Sequence, residues 1–236
     1  MDMRSLYRTI DRGDLRDALA LASALAIVGV SFGALSTAAG VPRLMTPALS
    51  LLVFAGGSQF LVVAVTAAGG SPVAAVVGGL LLNARLLPYG LAMGGIVGDR
   101  LPARLLGAHI LIDESVAFSR ARGEGARART AFRLSGCLAF VFWNSGAAIG
   151  MLAGGAVPDP NLFGVDAAFP AGLLALLLPS LRGADARRVG LGAAALALLA
   201  TPWLPAGLPV LIGLAGLVVA GRAPAPQGPK PGEAIP

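Results

Sequence analysis

Beyond residue 17 the chain runs as long apolar stretches separated by short connectors that carry most of the charge. Seven stretches, at 18–38, 48–68, 72–98, 132–154, 163–181, 186–202 and 205–221, each approach the roughly 20 residues that cross a hydrocarbon core as a helix. An eighth, 103–119, is shorter and contains His109, Asp113 and Glu114. Apolar character alone leaves open whether it spans, re-enters or lies at the interface. The pattern predicts an all-α polytopic membrane protein, a bundle of about eight transmembrane helices.

Arginine placement orients the bundle, because short loops rich in Arg stay cytoplasmic. With Arg4, Arg8, Arg12 and Arg16 inside and eight crossings, the connector holding Arg120, Arg122, Arg127, Arg129 and Arg133 falls inside. So does the one with Arg182, Arg187 and Arg188, while the loop around Asp159 falls outside and both termini are cytoplasmic. If 103–119 does not cross, the five-Arg connector lands outside unless a later crossing is also lost. Residues 1–17 read as a cytoplasmic interfacial helix or frayed end, 18–221 as the bundle, and 222–236 as a Pro-rich unstructured tail.

Composition agrees with this class. Of 236 residues 56% are hydrophobic and 13% charged, and the mean hydropathy is +0.79, which places the excess apolar surface in lipid. A pI near 10.9 invites a nucleic-acid reading, but the 18 basic residues are spread through connectors rather than gathered on a soluble face, so no nucleic acid is expected. The lone Cys137 sits in an apolar run and reads as a buried packing thiol. No cleavable leader is apparent before the first run. His109 is the only histidine, which argues against a metal centre, and no GxxxxGK loop or other cofactor motif occurs. Gly29-Val30-Ser31-Phe32-Gly33 matches G-x-S-x-G, yet it lies inside a spanning helix rather than at the strand-to-helix turn a hydrolase needs, so no enzyme is expected.

Glycines recurring every fourth residue, Gly29/Gly33, Gly90/Gly94/Gly98 and Gly146/Gly150/Gly154, predict helix-packing faces. A four-plus-four division would relate two halves as a parallel repeat, with Gly33 corresponding to Gly146.

Polar groups at membrane depth mark substrate paths unless they merely staple helices. Arg85 and Tyr89 are four apart on one helix face, suited to a substrate carboxylate, although Arg85 can equally lock onto an acid of another helix. Asn83 lies two residues before Arg85. Ser58 and Gln59 follow the Gly56-Gly57 pair, a candidate unwound binding point; alternatively Ser58 back-bonds and Gln59 bridges two helices. His109 and Asp113, with Glu114 beside them, form a candidate proton relay or a solvated helix end. Asp166, near Pro170, is a buried carboxylate or a helix cap.

These residues resemble the AzlC family. The resemblance is carried by Ser31-Phe32-Gly33-Ala34-Leu35, by Leu52-Val53-Phe54-Ala55-Gly56-Gly57-Ser58-Gln59-Phe60, by Asn83-Ala84-Arg85-Leu86-Leu87-Pro88-Tyr89-Gly90, by Asp113-Glu114-Ser115 and by Gly164-Val165-Asp166-Ala167-Ala168-Phe169-Pro170. It implies export of branched-chain or similar apolar amino acids across a bacterial inner membrane, with a small AzlD-type membrane subunit as partner. Leu86 stands where the family usually has His, and Ala84 where it has a larger apolar residue. Together with the polar residues, the resemblance gives a proton-coupled secondary carrier. In it Ser58, Gln59, Asn83, Arg85 and Tyr89 contact substrate, and His109, Asp113, Glu114 and Asp166 serve the proton. The competing readings are a non-transporting scaffold subunit and a passive channel.

Overall fold

A computed structural model describes residues 11–155, 183–204 and 208–213, together with 178 and 181. The chain forms α1 (Arg12–Ala38), α2 (Met45–Ala48) running into a π-helical turn (Leu49–Val53), α3 (Gly56–Ala67), α4 (Pro72–Asn83), α5 (Leu86–Ala92) and α6 (Gly94–Val97). Then follow α7 (Leu101–His109), α8 (Asp113–Arg120), α9 (Gly125–Gly155), α10 (Ala184–Ala200) and α11 (Leu208–Gly213). Among the described residues three helical stretches, Arg12–Ala38, Pro72–Ala92 and Gly125–Gly155, are long and apolar enough to cross a membrane.

The frame is the contact between α1 and α9, made by small residues as their spacing predicts. A Cβ at Gly29 would lie 2.6 Å from the Trp143 carbonyl oxygen, and one at Gly33 would collide with the Ala147 carbonyl. From the other side, Gly146 lies against Ala26, Gly150 against Val30 and Gly154 against Ala34. Residue numbers rise together along both helices, so α1 and α9 run parallel, backbone against backbone. Gly90 and Gly94 have nothing within 4 Å of an added Cβ, so the third glycine series is not a packing face there; only Gly98 is close-packed, against Ala103 and Arg104.

Two of the predicted runs fold back instead of continuing. At an axial rise of about 1.5 Å per residue, Leu49 and Gln59 would stand about 15 Å apart in one straight helix. Yet the Gln59 Nε2 donates to the Leu49 carbonyl at 2.9 Å, and Leu49, Val53, Ser58 and Val62 line one groove. The chain reverses at Phe54, which takes a left-handed conformation (φ 41°) ahead of the Gly56-Gly57 pair. Likewise α7 and α8 form a hairpin. The chain climbs from Gly98 to His109 beside Phe140, and α8 then descends alongside α9, with Val116 near Phe132 and the Ser119 hydroxyl donating to the Ala128 carbonyl at 2.8 Å. The short polar run 103–119 therefore turns back on itself, and so does 48–68, which the apolar pattern reads as a crossing. With both folded back, the parity of the chain is kept, and α9 still begins at the same end of the molecule as α1.

Between the hairpins, α4–α6 descends opposite to α9: Leu86 shares a cavity with Trp143, Met93 packs with Phe132, and Asp99 accepts from Arg129 at 3.1 Å. A long apolar helix followed by a hairpin thus occurs twice, in opposite directions, an inverted relation within residues 12–120; the four-plus-four parallel division involves runs that lie outside the described residues.

The basic connector meets the start of α1. Arg122 Nε donates to Asp14 at 3.0 Å and its Nη2 to Asp17 at 2.8 Å, while Arg127 reaches Asp14 at 3.3 Å. Residues 12–17 are therefore continuous with α1 and tied to the connector. Cys137 is exposed on α9, not a buried packing thiol. Residues from Leu173 onward form a second unit, in which α10 packs on α11 and Gly213 lies against Ala193. Most of the 163–181 run, most of 205–221, and the 1–10 and 222–236 ends lie outside the described residues.

Candidate functional site

Three interruptions of helix meet near Trp143, the midpoint of the apolar part of α9. The first is the Phe54–Ala55 reversal. The second separates α4 from α5. Pro88 has no N–H to give the Ala84 carbonyl, which instead accepts from Leu87 at 3.1 Å, so the helix tightens and jogs at Arg85. The third is the Ile110–Ile112 tip of the α7–α8 hairpin, held by the buried Ser115: its hydroxyl donates to the Ile110 carbonyl at 2.9 Å and accepts from the Ile112 N–H at 3.0 Å. Interrupted backbone at this depth survives only where it lines a cavity or is buried in protein.

A cavity of about 70 Å³ opens at their junction, room for several waters. Its walls are apolar, with Leu25, Phe54, Ile112 and Trp143 prominent, and its polar groups are Arg85, Asp113 and Glu114. Arg85 Nη2 and Asp113 Oδ2 pair at 2.8 Å with side chains 43% and 40% exposed, so the pair is accessible. The other carboxylate oxygen, Asp113 Oδ1, is buried without a partner. A guanidinium nitrogen of Arg85 lies 3.3 Å from where a Gly57 Cβ would stand. Beside it is the N-terminus of α3, which no side chain caps and whose Gly56 and Gly57 line the cavity, so the positive end of the helix dipole lies at its wall.

The predicted residues divide accordingly. Arg85, Asp113 and Glu114 are brought together, Arg85 by an ion pair with an acid of another helix, as one of its two readings had it. Ser58 and Gln59 are buried and turned to structure: Ser58 Oγ back-bonds to the Ala55 carbonyl at 2.9 Å, and Gln59 Oε1 accepts from the Trp143 indole at 3.1 Å. Asn83 lies with Ser58 in a separate apolar groove, its Oδ1 buried and unpartnered. Tyr89 is 38% exposed and does not line the cavity. His109 is not beside Asp113. The tip intervenes, and the imidazole packs between Phe140 and Phe54 at ring distances of 5.4 and 6.1 Å. Asp166 lies outside the described residues.

Two contributors escape a reading of polar spans. Trp143 forms a cavity wall and holds Gln59; the signal was a tryptophan mid-span, whose N–H needs a partner when buried. Ser115 builds the tip, and no spacing rule announces it.

The AzlC protein family model matches residues 20–157, which hold most of α1, all of α2 to α9 and the whole cavity. An uncharacterized membrane protein of Archaeoglobus fulgidus is 32% identical over 179 residues, covering 72% of this chain and 76% of the relative. No solved structure matches. With its three long apolar helices and a family match over more than half its length, the chain is a membrane protein that belongs to the AzlC family.

Proposed function

We propose that the protein is a secondary transporter that exports branched-chain or similar apolar amino acids across a bacterial inner membrane, coupled to protons and completed by a small AzlD-type subunit. One observation carries the reading: a guanidinium and an uncapped helix N-terminus share an apolar cavity where three helix breaks meet. Such a pairing suits a carboxylate, and the apolar wall suits an aliphatic side chain. Hairpins entering from opposite ends give each side its own movable element, which is what alternating access requires. Asp113 and Glu114 are the acids available to protons within the cavity. The AzlD-type subunit rests on the family alone.

Leucine loaded into inside-out vesicles tests it. Accumulation should saturate, require a proton gradient and fall to background in Arg85→Ala; gradient-independent, unsaturable flux would turn the reading to a channel. A scaffold role has its own support, since Gln59–Trp143 and Arg85–Asp113 both join separate helices. No accumulation, with or without the partner subunit, would favour it.

A further inference from the structure

The cavity presents one cation and two anions before any substrate enters. Arg85 faces Asp113 and Glu114 at the start of α8, and the imidazole of His109 is turned into the Phe54–Phe140 aromatic pair rather than toward them. Only one carboxylate oxygen of Asp113 meets the guanidinium; the other is buried and idle. A planar guanidinium offers two parallel donors to a carboxylate, so the pair in the structure uses less than the full capacity of either partner. Both side chains are also exposed to a similar extent, about two-fifths.

We infer that the Arg85–Asp113 ion pair stands in for a zwitterionic amino acid, which inserts between the two, placing its carboxylate on Arg85 and the α3 N-terminus and its ammonium on Asp113. This rests on the proposed transport of amino acids and assigns Asp113 as the group that reads the ammonium. The charge balance favours it. Insertion of a zwitterion splits one ion pair into two without changing the charge of the cavity, whereas a simple carboxylate would strand Asp113 and a simple amine would strand Arg85 among Leu25, Phe54, Ile112 and Trp143. The pair also joins the α4–α5 jog to the tip of the α7–α8 hairpin, so an inserted substrate separates these elements.

The test compares leucine with its two single-charge analogues, 4-methylpentanoate and 3-methylbutylamine, as competitors of radiolabelled leucine binding to the detergent-purified full chain. Both analogues should bind more weakly than leucine, on the order of a hundredfold, since a site built around a polar group rejects ligands lacking it. In Asp113→Asn the advantage of leucine over 4-methylpentanoate should collapse to within about threefold by the same reasoning; in Arg85→Gln its advantage over 3-methylbutylamine should collapse instead. Wild-type protein that binds 4-methylpentanoate as tightly as leucine overturns the inference without any variant. Collapse in Glu114→Gln and not in Asp113→Asn moves the ammonium to Glu114 and also overturns it. Failure of leucine itself to bind wild type would instead remove the transport reading beneath it.

Discussion

Trp143 shows how one side chain serves both packing and site. Its indole stacks on Phe32 at 5.8 Å, closes over Gly56, walls the cavity and donates to Gln59, whose amide nitrogen then fixes Leu49 in the opposing limb of the first hairpin. Trp143→Phe keeps the ring and leaves the Gln59 Oε1 buried without a donor. The expected loss is about 1–2 kcal/mol, read as a lower detergent melting temperature, and Gln59→Leu in the same background should recover part of it. At the basic end, Asp14 is 7% exposed and accepts from Arg122 and Arg127. Asp14→Asn should destabilise by on the order of 2 kcal/mol, and this loss should shrink as salt is raised, because Arg127 is half-exposed.

Among the helices, the α1–α9 contact is where small size is obligatory. Gly150→Leu puts a side chain where the Val30 carbonyl stands and should abolish a monodisperse size-exclusion peak. Gly94→Ala, with open space around its added Cβ, should leave folding intact, since it also removes a glycine from a helix. The glycine period alone predicted both series as interfaces. It could not distinguish them, because spacing reports a small stripe and not what stands opposite. The helix breaks were partly legible: Gly56-Gly57 marks the first and Pro88 the second. The third was not, as Ile110-Leu111-Ile112 carries no breaker and the tip is fixed by the Ser115 hydroxyl. Arg85, Asp113 and Glu114 were recognisable as charges out of place, but only the reversal of α7 into α8 decides that Asp113 turns to Arg85 and His109 to the aromatic rings.

For the whole molecule, hydropathy counts apolar residues and is blind to reversal, so a 21-residue run such as 48–68 looks like a span whether or not it turns at its middle. Labelling distinguishes the two. In a Cys137→Ala background, single cysteines at Gly40 and Gly69 should both react with an impermeant maleimide from one side of the membrane. Cysteines at Arg100 and Glu124 should react only from the other. Opposite labelling of Gly40 and Gly69 would restore a continuous crossing there.

The parallel docking of α1 on α9 also sets an order of events during synthesis. The glycine stripe of α1 is finished by Gly33, yet the surface that covers it is incomplete until Gly154 has been made. At roughly 5–20 residues per second, the nascent chain spends on the order of ten seconds with that stripe facing lipid or an insertion factor. Both hairpins must also be held in the bilayer before the helix that buries them exists.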